Sequence, residues 1–333
     1  MLKLVTSLLF FAACCFGDAT YTVGAGQAYS THALALAAVP TNLSGEGLQL
    51  IAPIAGTYTE SVHITGFTNA SATNKIRIKP QAGNDHGGIF SSATAVIITH
   101  TVNPSLRMST AFAEAIGLQL QGTQSGGTGM QIAFDAADVT VQNCLISRNS
   151  ILSAGEYAIS YFSYSPGAKI ISTIIHNTNN SNGAYGVYGD GATWLVLNCT
   201  IINFKFGVRG AVTKNTVAYH NDAASKQDFY TPQVAGSTNN ASRDATAATG
   251  SGNLINQSLI GVAPVSSPND FHIGSTSTLI GSGFDNSAVF TTDIDNQTWS
   301  TWGKGADFFF VAPTATGNSG RSRGQGRGRL RGR

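Results

Sequence analysis

Met130-Gln131-Ile132, Tyr157-Ala158-Ile159, Tyr185-Gly186-Val187 and Phe206-Gly207-Val208 line up as one column of short apolar segments, with steps of 27, 28 and 21 residues between their β-branched members. A second column follows it: Val141-Gln142-Asn143-Cys144-Leu145-Ile146, Ile170-Ile171-Ser172-Thr173-Ile174-Ile175, Val196-Leu197-Asn198-Cys199-Thr200-Ile201 and Thr213-Lys214-Asn215-Thr216-Val217. A repeat of about 20 to 30 residues cannot bury its apolar face alone and must stack on its neighbours. These segments are short, rich in Val, Ile, Thr and Tyr, bounded by Gly, Asn, Ser and Asp, and free of 3.6-residue periodicity, so the unit is β. Leucines at the fixed offsets of leucine-rich repeats are absent. Two columns in register predict an all-β chain, wound as a single-stranded right-handed parallel β-helix.

Composition fits that reading. Only 11% of the 333 residues are charged while 38 are glycine, as expected where tight turns alternate with short buried strands. Toward the N-terminus, early coils are expected at Leu48 to Ala52, Ser61 to Ile64, Lys75 to Lys79, Ala95 to His100 and Ala115 to Gln121, with a looser segment from Asn103 to Glu114. A solenoid exposes unpaired edges and apolar core at its ends. A short helix capped by Ser30 and running through Ala38, with Ala33, Leu34 and Ala37 as its apolar stripe, is expected to plug the first coil.

The chain is expected to divide into a secretory signal over residues 1–17, a β-helix over 18–312 and a disordered Gly/Arg-rich tail over 313–333. Lys3 and the apolar run from Leu4 to Phe16 make the signal, with Gly17 before the cut. A rival reading makes Phe11-Ala12-Ala13-Cys14 a lipoprotein box with Cys14 lipidated. Either way the product is secreted or held at the cell surface, and no later segment is apolar enough to span a membrane. Two cysteines then remain, Cys144 and Cys199. They share a column with the Thr173 coil between them, which sets their backbones about 9.6 Å apart, beyond disulfide reach. Both are expected to be free thiols in a stack of small inward side chains, Cys144, Thr173, Cys199 and Thr216, beside a corner ladder of Asn143, Asn198 and Asn215.

The tail carries Arg321, Arg323, Arg327, Arg329, Arg331 and Arg333 and no acidic residue. Without these and Lys3, 12 basic residues face 17 acidic ones, so the body carries about −5 and the overall +2 belongs to the tail. Such a segment suits an anionic polymer.

Val23 through Ile64, above all Ala55-Gly56-Thr57-Tyr58-Thr59-Glu60-Ser61-Val62, resembles the opening coils of the pectin-lyase-like right-handed β-helix proteins. The closing part is similar to the usual ending of such proteins: Asn239 to Thr246, Asp270-Phe271-His272-Ile273, Ser277 to Gly283, Thr292-Asp293-Ile294-Asp295-Asn296 and Gly305-Ala306-Asp307. The resemblance implies the fold, and function is grafted separately onto folds. Gly56, Tyr58 and Glu60 match an element of pectin methylesterases, but that family's later aspartate motifs are absent, which makes Glu60 a structural residue. Arg77-Ile78-Lys79 matches the basic tripeptide of polygalacturonases but stands near the front, without the paired aspartates and histidine. The clustered aspartates that hold calcium in pectate lyases are also absent. Asp293, Asp295 and Asn296 have the start of a calcium loop, but the spacing then breaks down, so no metal or cofactor is assigned.

Two candidate sites remain. Asp135 follows Ile132 by three residues and Asp190 follows Val187 by three, so they share a column about 9.6 Å apart, near the separation of about 6.5 to 9.5 Å used by inverting glycosidases. The turn Gly189-Asp190-Gly191 offers a purely structural reading of the same residues. The second candidate is aromatic: an outward Tyr or Trp presents a flat apolar face with a polar edge, which suits a sugar ring. Tyr161, Tyr164, Tyr188 and Trp194 are the expected glycan contacts, whereas Tyr157 and Tyr185, aligned with Met130 and Phe206, are expected inside the coil. The leading expectation is an exported, non-catalytic β-helix protein presenting a carbohydrate-binding or adhesive surface on a cell, in a matrix or on a virion. The alternatives are a polysaccharide lyase or glycoside hydrolase and a purely structural surface component.

Overall fold

A computed structural model describes residues 17–90, 93–100, 104–122, 130–148, 156–178, 184–189, 191, 193–220, 226–230, 232–248, 250–257, 272–273 and 277–307. The signal segment through residue 16, Asp190 and the arginine-rich tail lie outside the described residues. Within them the strands form three parallel sheets of seven, eight and eight strands. One coil shows the plan: Met130–Phe134 lies in sheet I, Thr140–Gln142 in sheet II and Leu145–Arg148 in sheet III, before Glu156–Tyr161 returns to sheet I. Parallel strands joined by crossovers wind right-handedly, and the chain is a right-handed parallel β-helix.

The expected registers hold. Ile132 pairs with Ile159, Ile159 with Val187 and Val187 with Val208, and all four lie in the buried core. The column continues through Leu106 to Val62 on one side and to Phe229 on the other. The second column is two strands per coil, not one. Asn143, Ser172, Asn198 and Asn215 each adopt a left-handed backbone, with φ of 50°, 42°, 49° and 52°, and the corner they make separates sheet II from sheet III. Asparagine tolerates this conformation at lower cost than other non-glycine residues, so three of the four corners carry it.

The residue after each corner, Cys144, Thr173, Cys199 or Thr216, is fully buried. Each donates from its side chain to the carbonyl two residues earlier, on Gln142, Ile171, Leu197 or Lys214. Each of these carbonyls already accepts a backbone amide, from Gly117, Asn143, Ser172 or Asn198, so the side chain is a second donor, and the site takes a small side chain whose own S–H or O–H finds an acceptor in the core. Both cysteines are free, and burial pushes their thiols up to about 12.

The early coils follow the expected strands with differences. Ala19–Val23 and Gly56–Thr59 are additional strands. The Ala115 to Gln121 segment divides into Glu114–Ile116 and Gln119–Gly122 around Gly117, whose φ is +67°. The segment expected to be loose contains Leu106–Met108. The capping helix spans His32–Ala38, and its N-cap is Thr31, which accepts from the Leu34 amide. Its buried face is His32, Ala35 and Leu36, with Leu34 53% exposed. The expected stripe of Ala33, Leu34 and Ala37 is not the buried face, because the helix HALALAA is apolar nearly all round and its sequence singles out no face. Glu60 closes the same end, accepting from the His32 amide at 3.2 Å and His32 Nδ1 at 2.7 Å. Burial alone would raise its pKa, but the His32 contacts outweigh this and the carboxyl lies below its usual value. Tyr58 donates to Ile54 O at 2.9 Å, so this motif is structural.

Residues 277–307 run back along the outside of the solenoid. Ile273, Leu279, Ile294 and Ala306 pack on Leu145, Ile174, Ile202 and Val217 of sheet III. The corner residues hold the segment in place: Asn215 exchanges hydrogen bonds with the Phe284 backbone, Asn198 reaches Gly303 O and Asn286, Ser172 reaches Thr292 O, and Asn143 reaches Asn296. The expected amide ladder between coils survives in one bond, Asn215 Nδ2 to Asn198 Oδ1 at 3.1 Å.

The burial of both thiols sets an expectation that differential labelling can check. Folded protein should react with a thiol reagent at neither Cys144 nor Cys199, and denatured protein should react at both. Rapid native labelling of either one would contradict this packing.

Candidate functional site

The face of sheet I that points away from the core carries the chemistry. Along it His63 pairs in register with Arg107, Arg107 with Ala133, Ala133 with Ser160, and, further along, Tyr188 with Arg209. One end is polar. Arg107 Nε forms an ion pair with Asp135 Oδ2, Ser109 Oγ donates to the same oxygen at 2.9 Å, and His63 Nε2 lies 2.9 Å from Ser109 Oγ. Burial and the Arg107 charge lower the His63 pKa against the pull of Asp135, leaving a neutral imidazole at neutral pH. Histidine, serine and aspartate are thus in contact, but the serine sits in the middle. A nucleophile triad needs the histidine between the other two, so this order orients Asp135 and activates no hydroxyl. Phe162, 49% exposed, lies with its ring centroid 4.8 Å from the Arg107 guanidinium carbon, and Tyr164 is 68% exposed.

The other end is aromatic. Tyr157 stacks on Tyr185 at 5.3 Å and Tyr185 on Phe206 at 4.8 Å, and Phe206 meets Tyr230 edge-on at 5.4 Å. Tyr161 stacks on Tyr188 at 5.9 Å. Arg209 is the hub, with its guanidinium carbon 4.3 Å from the Tyr230 centroid, 5.1 Å from Tyr188 and 6.0 Å from Tyr185. Rings at these separations attract one another and the cation. They form a ladder parallel to the solenoid axis, one rung per coil.

Two expectations are corrected. Trp194 is fully buried. It packs 5.0 Å from Phe134 and edge-on to Tyr161, in room left by Gly189, where an added Cβ would come within 3.1 Å of the indole. Tyr157 and Tyr185 stand outside the core cluster, half-buried. Ala158 and Ile159 both reach the core, so strict alternation breaks between them and the tyrosine lands on the outer side. Tyr161 and Tyr188 are half-buried and stacked on one another, and Tyr164 is exposed. Sequence reasoning passed over Arg209, Phe206, Arg107, His63 and Ser109. The repeat held a signal for Arg209, which follows Val208 as Tyr188 follows Val187 and so shares its column.

Asp135 is tied into its ion pair, and its proposed partner Asp190 lies outside the described residues, as do Arg321, Arg323, Arg327, Arg329, Arg331 and Arg333. Arg77 Nε pairs with Glu114 at 2.5 Å and Lys75 with the same carboxylate at 2.7 Å, which gives Arg77 of the basic tripeptide a structural role. A separate groove of about 590 Å³ lies over sheet II, lined by Thr20, Thr22, Leu50, Ala52, Lys79 and Gln81 among others. It lacks the aromatic and ionic grouping of sheet I. Among the described residues no helix is long and apolar enough to cross a membrane.

No protein-family model matches the sequence, and no characterised protein matches it significantly. Among solved structures, the chain is similar to the pectin methylesterase of Aspergillus niger in deglycosylated form, with 13% identity, a TM-score of 0.32, and coverage of 81% of this chain and 93% of that one. It is similar also to the pectin methylesterase from carrot, with 14% identity, a TM-score of 0.36, and coverage of 79% and 90%. The fold assignment rests on the chain's own strand registers.

The buried position of Trp194 predicts what its removal does. Trp194→Ala should destabilise the protein by about 3–5 kcal/mol, read by urea denaturation. A loss under about 1 kcal/mol would place the indole outside the core.

Proposed function

We propose that this chain is an exported β-helix protein that binds a linear polysaccharide along the outer face of sheet I and does not cleave it. The observation that carries this reading is the ladder Tyr157, Tyr185 and Phe206, flanked by Tyr188 and Arg209. Its rungs recur once per coil along one axis, so a polymer laid along that axis meets a ring and a polar edge at each step. Arg209 and Arg107 on the same face favour sugars bearing carboxylate or sulfate groups, since a guanidinium matches such oxyanions. Phe162 and Tyr164 extend the contact past Arg107. Export is supported by the apolar N-terminal segment, and the arginine-rich tail would add a second, salt-sensitive contact with an anionic polymer.

The lyase or hydrolase reading would require Asp135 to work with Asp190 across one intervening coil. Against it stands the Arg107 and Ser109 grip on Asp135, which holds that carboxylate as an acceptor.

An acidic and neutral glycan array, with affinities measured for any hit, tests the proposal. Tyr185→Ala and Arg209→Ala should each weaken binding about tenfold while leaving the melting temperature within a few degrees, and reducing-sugar and unsaturated-uronide assays should stay at background. Turnover that vanishes in Asp135→Asn would overturn the non-catalytic reading, and binding untouched by both ladder variants would overturn the site.

A further inference from the structure

Two groups of histidine and aspartate bring three ligand atoms within 4.8 Å of one another: His220, Asp228 and Asp244, and His272, Asp295 and Asp307. The first is closed. Asp228 Oδ1 bonds His220 Nδ1 at 2.6 Å and its Oδ2 accepts the Arg243 and Asp244 amides. Asp244 Oδ1 accepts from Thr246, and its Oδ2 accepts the Asp228 amide. Every carboxylate oxygen has a partner, and the network closes the last coil.

The second group differs in one respect. Asp307 is 98% buried by its relative surface of 2%, and its Oδ1 has no hydrogen-bond partner; Asp295 Oδ1 is likewise buried without one. A buried, unpaired carboxylate oxygen is costly unless it is paired or coordinates a cation. The remaining contacts orient these groups: the Ile273 amide donates to Asp307 Oδ2 at 2.7 Å, and His272 Nε2 lies 2.7 Å from Asp295 Oδ2. The loop bearing Asp295 is shaped by Asp293 Oδ1, which accepts the amides of Asp295 and Gln297, and it is pinned to the solenoid corner by Asn143 Nδ2 to Asn296 Oδ1 at 3.1 Å. Space is left in front of the cluster by Gly88. An added Cβ there would lie 2.6 Å from His272 Nε2 and 2.8 Å from Asp295 Oδ1.

We infer that His272, Asp295 and Asp307 bind a zinc ion that ties three points of the C-terminal stretch to one another. One imidazole nitrogen with two carboxylate oxygens suits a borderline cation better than calcium, which takes oxygen ligands alone. The Ile273 amide on Asp307 is the outer-shell bond that fixes a metal-ligating carboxylate. The ligands come from three separate stretches of chain, so no sequence spacing announces them. The His272 side chain is 28% exposed, which leaves a route for the ion from solvent.

The test uses the full chain, stripped with chelator and titrated with zinc by calorimetry and by thermal melting, with calcium as a comparison. Zinc should bind one to one and, at about 100 times its Kd, raise the melting temperature by about 5 °C or more. Calcium at the same concentration should produce a smaller shift. Asp307→Asn, which neutralises an uncompensated buried charge, should melt without metal no lower than the stripped wild type and should lose the zinc shift, while Asp244→Asn should keep it. No zinc binding by the wild type, or an equal zinc shift in Asp307→Asn, would overturn the inference.

Discussion

Each coil of this protein has an apolar inner face that only the coils above and below can cover. The in-register stacking of Val62, Leu106, Ile132, Ile159, Val187, Val208 and Phe229 is therefore the constraint on which everything else depends. A slip of one residue in any coil would turn its apolar residue away from the axis and expose an apolar row. The same constraint aligns whatever stands on the outside. Because Val187 lies over Val208, Tyr188 lies over Arg209, and because Met130 pairs with Tyr157, the rungs Tyr157, Tyr185 and Phe206 fall on one line. The surface ladder is a by-product of the core.

The left-handed corner serves two purposes. It turns the chain between sheets II and III, and it projects asparagine side chains outward, where they hold the segment 277–307. That segment covers Leu145, Ile174, Ile202 and Val217, which would otherwise form an exposed apolar stripe on sheet III. Behind each corner, a buried cysteine or threonine satisfies its own S–H or O–H on the carbonyl two residues earlier. Corner asparagine, inward donor and returning segment thus form one device repeated along the axis.

The sequence made legible what depends on β-branched periodicity: the registers, the solenoid, the early strands and the free thiols. It left unread what depends on where alternation breaks. Alignment with Met130 and Phe206 puts Tyr157 and Tyr185 inside the coil, yet Ala158 and Ile159 both enter the core and the tyrosines fall on the outer side. Trp194 is expected outside as an aromatic suited to a sugar ring, but it is fully buried, against Phe134 and beside Gly189. The capping helix is legible but its buried face is not, because HALALAA is apolar nearly all round and the His32 contact with Glu60 sets which side faces the coil. Contacts between distant stretches, such as Asn143 with Asn296 or His272 with Asp307, leave no local trace at all.

Paired cysteines can read the register directly. Thr140 lies beside Lys169 in the next coil and Lys169 beside Leu195 in the one after, with neighbouring strands about 4.8 Å apart, inside disulfide reach. Thr140→Cys with Lys169→Cys should therefore crosslink under mild oxidation, and Thr140→Cys with Leu195→Cys, two coils apart at about 9.6 Å, should remain reduced. Crosslinking of the second pair and not the first would contradict the stacking.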